Sequence, residues 1–410
     1  MVVRGSAQAI LEWISTQRAR MLGRVMEWAN INSYSLNKTG VVKVGEAVER
    51  EFAGLGDVVE RFEITPAEVI GSRGQIIQHA LAPVIVITKR PAAPVKILLN
   101  IHLDTVYPPD SGFQSTVEEG ENLRGPGVAD AKGGLAVMLT ALEALERSPN
   151  ASRIGWRVIL NSDEEIGSPG SGALLAEKAK DCQFGLLFEP ALPDGAIVNR
   201  RRGSGNFSII VRGRAAHAGR DFESGRSALL AAAKIAIQIH ALNQSLAGVT
   251  INIGAIDGGG PANVVPDLAI LRVNIRTTEA GDETAALEPI RKIVAEANGM
   301  DGIRAEIQGR FMSPPKIADQ RTTGLLEAIV GCGKELGLDI GMRASGGASD
   351  GNRLAAAGLP NVDTLGVRGD RIHSDQEYLV IDSLMERAQL VALLLVKIAD
   401  GDIDVGRFSR

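Results

Sequence analysis

The chain has 410 residues, 45% of them hydrophobic, with 44 lysines and arginines against 49 aspartates and glutamates and a formal net charge of -5. A mildly acidic chain lacks the basic surface that nucleic-acid binding requires, so nucleic acid is excluded as an expected partner. The chain is longer than a single hydrophobic core usually supports, which predicts at least two domains. Its two cysteines, Cys182 and Cys332, exclude a disulfide framework and a thiolate zinc site.

The N-terminal segment bears on where the protein resides. An amphipathic helix is predicted over residues 6–30, where Arg18, Arg20 and Arg24 stand among apolar residues. Such a segment lacks the continuous apolar core of a secretory signal. No later segment approaches the roughly 18 apolar residues of a membrane span. Together with the unpaired cysteines, these features predict a cytoplasmic protein with reduced thiols and no membrane partner.

After a second predicted helix over residues 41–54, apolar strands alternate with helices. The strands are predicted over residues 84–88, 95–103, 156–161 and 185–189, with helices over residues 134–146 and 171–180. This alternation is typical of an α/β fold in which a mostly parallel sheet is flanked by helices. In such sheets, ligands bind outside the carboxyl ends of the strands.

The pattern changes near Gly205. Strands are predicted over residues 207–211, 249–253 and 268–275, and helices over residues 224–242 and 283–298, before a proline-rich break at residues 313–315. This order predicts a compact α+β domain over residues 206–316, inserted into a first domain made of residues 1–205 and 317–410. Helices over residues 321–336 and 383–398, with a strand near residues 362–365, are expected to complete the first domain.

Histidines and carboxylates stand at the ends of the predicted strands. Several acids at one edge of a sheet would repel one another without a cation. Two histidines together with carboxylates suit zinc or a similar divalent ion, because calcium prefers oxygen ligands alone and soft metals prefer thiolates. His102, Glu164, Glu165 and Glu189 stand at these strand ends, Asp130 lies in the loop before the helix predicted from residue 134, and His373 follows the last strand.

If Asp130 bridges two ions, each ion also receives one histidine and one glutamate. Such ions lie roughly 3.5 to 4 Å apart and lower the pKa of a shared water toward about 7, which favours hydrolysis. Glu164 and Glu165 are adjacent, so their side chains diverge; we expect Glu165 to bind metal and Glu164 to act as general base. Asp104 is expected to accept the second ring N–H of His102.

Eight stretches together resemble a family of zinc metallopeptidases. That family includes glutamate carboxypeptidases of the carboxypeptidase G type, acetylornithine deacetylase, succinyl-diaminopimelate desuccinylase and aminoacylase, and the chain is most similar to the glutamate carboxypeptidase branch. The stretches, which run from residue 101 to the C-terminal region, are HLDTVYP, GPGVADAKGG, NSDEEIGSPGS, FEP, GRAAHAG, GGPANVVPD, SGGASDG and RIHSDQEYL.

The resemblance implies a di-zinc site in a catalytic domain formed by both ends of the chain, with cobalt or manganese able to take the place of zinc. It makes Asp130 the bridging ligand, Glu164 the base and Asp104 its supporting acid, and it implies a cis peptide bond between Asp130 and Ala131. The metal ligands that it implies are His102, Asp130, Glu165, Glu189 and His373.

The resemblance also makes the inserted domain a lid that forms a homodimer. It implies that His217 reaches into the partner subunit's site and polarises the substrate carbonyl, and that Asn263 and Arg276 hold the substrate. Arg276 has a physical rationale as well, because a guanidinium recognises a carboxylate through two parallel hydrogen bonds. Gly347, in SGGASDG, would let the backbone approach the substrate, with Asp350 capping the next helix.

Structural interpretations of single residues stay open. Asp130 suits the start of a helix as a cap, His217 and Asn263 suit turns, and Arg276 suits an ion pair with a neighbouring acid. The arginines at positions 200–202 are interpreted as surface residues rather than ligands. Each of these interpretations explains one residue but not the whole set.

The sequence therefore favours a di-zinc hydrolase that cleaves an amide or peptide bond next to a free carboxylate, acting on a small peptide. The alternative within the same chemistry is a deacylase of N-acyl amino acids, of the acetylornithine deacetylase, desuccinylase or aminoacylase type. A catalytically silent protein that only binds a carboxylated ligand is a third hypothesis. It is disfavoured because Glu164 and all five expected ligands are present.

Overall fold

A computed structural model describes residues 6–409 of the chain. Within these residues no helix is long and apolar enough to cross a membrane. The α-helices of this part of the chain are Ser6–Ser15 (α1), Arg18–Ala29 (α2), Lys38–Glu51 (α3), Gly134–Leu145 (α4), Gly172–Lys178 (α5), Ala228–Ala241 (α6), Asp282–Ala297 (α7), Gln320–Glu335 (α8), Asp350–Ala356 (α9) and Ser383–Asp400 (α10).

The strands are short outside the two main sheets. In chain order they are Val58–Phe62 (β1), Ala67–Ile70 (β2), Ile76–His79 (β3), Val84–Lys89 (β4), Val95–His102 (β5), Val117–Glu119 (β6), Asn122–Arg124 (β7), Ile154–Asn161 (β8), Phe184–Leu187 (β9), Ile197–Arg201 (β10), Gly203–Arg212 (β11), Ala216–His217 (β12), Thr250–Gly258 (β13), Val264–Val265 (β14), Leu268–Thr277 (β15), Arg304–Ser313 (β16), Lys316–Ile317 (β17), Met342–Ser345 (β18), Asn361–Val362 (β19), Gly369–Asp370 (β20) and Tyr378–Val380 (β21).

The first main sheet has six strands in the order β1-β4-β8-β5-β9-β19. Strands β8, β5, β9 and β19 run parallel, and only β4 runs opposite to its neighbours. Helix α4 is apolar on nearly all sides and lies buried between this sheet and α10, while α5 and α9 contribute to a smaller core on the other face. The predicted α/β class, a mostly parallel sheet flanked by helices, is confirmed.

The second main sheet is antiparallel, in the order β13-β15-β11-β16. Alternate residues of its strands, such as Phe207 and Ile209, pack against α6 and α7 in a core separate from that of the first sheet, which leaves the other sheet face uncovered by these helices. We call this sheet with α6 and α7 the lid unit. The domain boundaries at residues 206 and 316 stay a prediction; β11 and β16 themselves span Gly203–Arg212 and Arg304–Ser313.

Some sequence-based expectations were wrong in detail. The single helix expected over residues 6–30 is two helices, because the hydroxyl of Thr16 bonds to the carbonyl oxygen of Trp13 and competes with the backbone ladder there. Strand β16 was not predicted. The cap of α9 is Ser349 rather than Asp350, since the Ser349 hydroxyl accepts the N–H of Gly351 while Asp350 is the first residue of the helix.

Candidate active site

The expected ligands lie together at one edge of the first sheet. His102 is the last residue of β5, Glu165 lies in the turn after β8, and Glu189 follows β9. Because these three strands are parallel, their carboxyl ends deliver the side chains to the same edge. Asp130 lies in the turn before α4, and His373 follows β20 in the left-handed backbone region, with φ of 64°.

Asp130 lies between two histidine–glutamate pairs. Its Oδ1 is 3.1 Å from Nε2 of His102, and its Oδ2 is 3.5 Å from Nε2 of His373. His102 Nε2 is also 3.8 Å from Oε2 of Glu189, and His373 Nε2 is 3.1 Å from Oε2 of Glu165. Each oxygen of one carboxylate therefore faces a different histidine, as a bridging ligand requires.

The chemistry of these side chains fits a pair of divalent ions. Atoms of His102, Asp130 and Glu165 that could bind a metal all lie within 4.8 Å of one another. Imidazole nitrogen with carboxylate oxygen is a donor set typical of zinc and of other first-row ions. The Glu165 side chain is only 5% exposed and Asp130 only 9%, so the acids have little water to stabilise their charges.

We call His102, Asp130, Glu165, Glu189 and His373 the metal-ligand cluster. Its electrostatics indicate an excess of negative charge. Burial, followed by the charge of Asp130, raises the pKa of Glu165 to about 7. Burial also raises the pKa of Glu189. Hydrogen bonds to Asp130 and Glu165 raise the pKa of His373 to about 11. Without a cation, therefore, the cluster favours bound protons, and a positive ion would replace them.

Asp104 connects the histidine to the glutamate turn. Nδ1 of His102 lies 3.1 Å from the backbone oxygen of Asp104 and 3.4 Å from its Oδ1. The same carboxylate accepts the backbone N–H groups of Glu164 at 3.2 Å and Glu165 at 3.1 Å, and the hydroxyl of Ser35 at 2.7 Å. One buried acid thus orients residues from two strand ends. Burial alone would raise the pKa of Asp104, but these hydrogen bonds and His102 lower it.

Glu377 holds the loop of Asp130, and sequence reasoning missed it. Its carboxylate accepts the backbone N–H groups of Ala129 at 2.9 Å and Asp130 at 3.0 Å, and the hydroxyl of Tyr107 at 2.5 Å. The peptide bond between Asp130 and Ala131 is cis, as the resemblance implied. Glu377 stands in RIHSDQEYL, so the motif contained the residue, but nothing in the sequence indicated that its carboxylate holds backbone N–H groups.

A cavity of about 480 Å³ opens over the cluster, between the first sheet and the lid unit. Glu164, Arg276 and Gly347 line it together with ligands of the cluster. Among residues 6–409 the Glu164 carboxylate has no hydrogen-bond partner, and burial followed by the charge of Glu189 raises its pKa. A carboxylate of this kind is available to exchange a proton with a bound molecule.

Two arginines face this cavity in different states. Nε of Arg276 donates to Oδ1 of Asn274 at 2.9 Å, and within the described chain Arg276 forms no ion pair with an acid. Arg201 is 7% exposed, its Nε donates to Oδ2 of Asp363 at 2.9 Å, and its Nη1 donates to the backbone oxygen of Gly347 at 3.3 Å. The interpretation of Arg201 as a surface residue was wrong, because Asp363 neutralises it in the interior.

The neighbours of Arg201 differ from it. Arg200 is exposed and pairs with Glu279 at 2.5 Å. Arg202 is half-buried and donates to the hydroxyl of Thr250 at 2.9 Å. The three consecutive arginines therefore have three different environments, and only Arg201 lines the cavity.

His217 and Asn263 do not line this cavity. His217 ends β12, which pairs with β14 next to Asn263, and both residues are exposed on the lid unit. Nδ1 of His217 accepts the N–H groups of Gly219 at 3.1 Å and Arg220 at 3.2 Å. The ring proton then lies on Nε2, so His217 presents a hydrogen-bond donor to the exterior.

Known proteins with similar sequences and folds include peptidases. The model of Peptidase family M20/M25/M40 matches residues 98–397, well over half of the chain. The chain is 27% identical over 376 residues to carboxypeptidase G2 from a Pseudomonas species, covering 91% of this chain and 88% of that protein.

Two solved structures have the same fold. Aminopeptidase PepT from Bacillus cereus is 25% identical, with a TM-score of 0.70 and coverage of 93% of this chain and 99% of the other. The YXEP protein from Bacillus subtilis, described as a dinuclear metal-binding peptidase from the M20 family, is 18% identical, with a TM-score of 0.63 and coverage of 94% and 99%.

Proposed function

Because the chain belongs to peptidase family M20/M25/M40, we propose that this hydrolase cleaves an amide or peptide bond next to a free carboxylate, in the manner of a glutamate carboxypeptidase. The observation that carries the proposal is the placement of Asp130 between two histidine–glutamate pairs, beneath a cavity that also contains an unpaired arginine. A cytoplasmic location belongs to the proposal, supported by two free, buried cysteines.

Two zinc ions are the proposed cofactors, with cobalt or manganese able to replace them. His102 and Glu189 would hold one ion, His373 and Glu165 the other, and Asp130 both. Bound there, the ions would act as Lewis acids on the scissile carbonyl and on a water. The raised pKa values of Glu165 and Glu189 support this assignment, because a cation stabilises their charged forms.

Glu164 is the proposed general base. Its carboxylate faces the cavity without a partner among the described residues, so it is free to take a proton from the attacking water and give it to the departing amine. Burial, followed by the charge of Glu189, raises the pKa of Glu164, which favours the protonated form that can give its proton to the departing amine. Asp104 positions the base by accepting the backbone N–H of Glu164.

Arg276 is the proposed carboxylate-binding residue. Burial, then the charge of Arg202, lowers its pKa, which means that an anion near its guanidinium would relieve an unfavourable state. A substrate carboxylate is such an anion, and the guanidinium of Arg276 would bind it through two parallel hydrogen bonds. Gly347 and Asn274 also line this cavity and would contact the substrate backbone.

A homodimer completes the proposed site. On the lid unit, Leu230 and Ile237 of α6 are 59% and 72% exposed, and Ile256 of the edge strand β13 is 44% exposed. A second copy would cover this apolar surface. His217 and Asn263 would then serve the partner subunit's cavity, where the Nε2–H of His217 would donate to the scissile carbonyl.

Hydrolysis of a substrate panel tests the function. Dipeptides and N-acyl amino acids are compared with the same compounds carrying a C-terminal amide in place of the carboxylate. We expect metal-dependent hydrolysis, with kcat/KM about a hundredfold lower for the amides. Equal rates for acids and amides would refute carboxylate recognition. Activity on N-acetyl or N-succinyl amino acids alone would select the deacylase alternative.

A mixing experiment tests the dimer. His217→Ala and Glu164→Gln subunits are each expected to be nearly inactive as homodimers. After mixing, each heterodimer has one site with both Glu164 and the partner's histidine, so random exchange should restore about a quarter of the wild-type activity. If the mixture is no more active than its components, His217 does not act across subunits.

A further inference from the structure

A second cavity of about 760 Å³ adjoins the one over the metal-ligand cluster. The two share lining residues, among them Glu165, Ile166, Asn274 and Met312, so a molecule bound at the cluster would have open space in this direction. Arg276 lines only the first cavity. The second cavity therefore opens beside the first, next to Glu165 of the cluster, and offers space for a part of the substrate that does not contact Arg276.

One wall of the second cavity is the hairpin β2–β3. Ile70 pairs with Ile76 and Glu68 with Gln78, and paired residues of an antiparallel ladder point to the same side. All four line the cavity. Ile76 is 51% exposed, so an apolar side chain faces this space without being packed. Ile77, on the opposite side of the same strand, does not line the cavity.

The opposite wall is the lid-sheet face that α6 and α7 leave uncovered. Ser208, Arg272 and Gln308 contribute to it. Nε of Arg272 pairs with Oδ2 of Asp257 at 2.8 Å, and its Nη1 donates to the Ser208 hydroxyl at 3.1 Å, so its charge is already compensated. Beyond the cavity, the hairpin tip rests on the lid unit, where Nη2 of Arg212 donates to the backbone oxygen of Arg73 at 3.2 Å. The hairpin and the lid sheet therefore enclose the second cavity on two sides.

We propose that this second cavity binds the acyl side of the substrate, and that its occupant is an uncharged, largely apolar acyl group much longer than acetyl. The proposal rests on the proposed function, which places the carboxylate at Arg276 and the scissile bond at the cluster. Pockets of several hundred Å³ accommodate extended ligands, and an acetyl group would leave this one almost empty. Glu68 and Arg310 line it with opposite charges, so an uncharged chain suits it better than an ion.

The test compares N-acetyl and N-octanoyl derivatives of whichever amino acid the enzyme accepts best. We expect kcat/KM of the wild type to be about tenfold or more higher for the octanoyl compound. Ile76→Trp, which fills the cavity, should remove that preference and leave acetyl hydrolysis within about twofold. Ile77→Trp is the matched control and should behave as wild type. Acetyl hydrolysis also reports that each variant is folded, and Ile76→Asp provides a second way to disturb the wall.

Several results would overturn the proposal. These are equal wild-type kcat/KM for the two compounds, an unchanged octanoyl preference in both Ile76 variants, or the same loss in Ile77→Trp. If the wild type hydrolyses neither compound, the substrate panel described above decides whether the proposed function fails, and the cavity is judged by calorimetry alone. Tighter binding of the octanoyl compound to wild type than to Ile76→Trp would then support the cavity, and equal affinities would refute it.

Discussion

The metal-ligand cluster and the β12–β14 segment of the lid unit differ in how their polar groups are held. In the cluster, His102 and Asp104 are buried, and each has partners within the same subunit. On the lid unit, His217 and Asn263 are exposed, and Nε2 of His217 points away from its own turn. In the proposed function, one subunit holds the metal-binding groups by itself, whereas His217 and Asn263 would act only in the presence of a second subunit.

The largest effect is expected when Asp130, the proposed ligand of both ions, is replaced. Asp130→Asn should lower the metal content and reduce kcat by about 10⁴-fold or more, because two ions lose a charged ligand at once. Metal analysis and kcat measured on the same sample would check this. His79→Asn is a control, since His79 ends strand β3 and, among the described residues, belongs neither to the potential metal ligands nor to the lining of the cavity over them. A variant that retains both ions and normal activity would mean that Asp130 does not bridge.

Removal of the base should separate chemistry from metal binding. For Glu164→Gln we expect kcat to fall by roughly 10² to 10⁴-fold with metal content unchanged, because the amide cannot accept the proton of water. Glu177→Gln, on the exposed end of α5, serves as a matched control. Loss of metal in Glu164→Gln would reassign that residue from base to ligand.

The buried ion-pair cluster of Asp363 should affect stability more than chemistry. Asp363 pairs with Arg201 and with Nζ of Lys316 at 2.7 Å, and all three are buried. Asp363→Asn leaves two cations uncompensated and should lower the free energy of unfolding by about 3 to 5 kcal/mol. Glu49→Gln, at an exposed pair with Arg61, should cost far less. Chemical denaturation measures both.

The pH dependence gives the same cluster a second test. Burial would raise the pKa of Asp363, but the charges of Arg201 and Lys316 outweigh it and lower the pKa to about 2. A lowered folded-state pKa contributes stability that is fully present above the unfolded value of about 4 and is lost as pH falls through about 2. In the Asp363→Asn protein, this contribution to the free energy of unfolding should no longer decline between about pH 4 and pH 2. Unfolding curves recorded across that pH range would check this.

The smallest effect is expected on the substrate side. Arg276→Lys should raise KM about tenfold for substrates with a free carboxylate and change kcat little, because a lysine keeps the charge but not the two-pronged geometry. For substrates with a C-terminal amide, KM and kcat should be nearly the same in the variant and in the wild type. A drop in kcat alone would instead connect Arg276 to the chemical step.

Sequence patterns were informative where chemistry depends on side-chain identity at strand ends. His102 ends one apolar strand and Glu189 follows another, and both strands can be predicted from the local sequence alone. The fold class is predicted from the same strands. Glu377 could not be predicted, because it acts on backbone N–H groups that every residue shares. The burial of Arg201 depends on Asp363, 162 positions later. Strand β16 contains Gly309, at φ of 121°, where its alternating pattern would have an apolar residue, and this obscures the strand in the sequence.

The position of Asp130 has a thermodynamic consequence for metal loading. Its two oxygens face different histidines, and Glu377 fixes the backbone that carries it. Binding of the first ion would therefore orient a ligand of the second. We expect the two dissociation constants to be coupled, so that titration of the metal-free protein gives a steeper isotherm than two independent sites, and so that chelators remove the pair together.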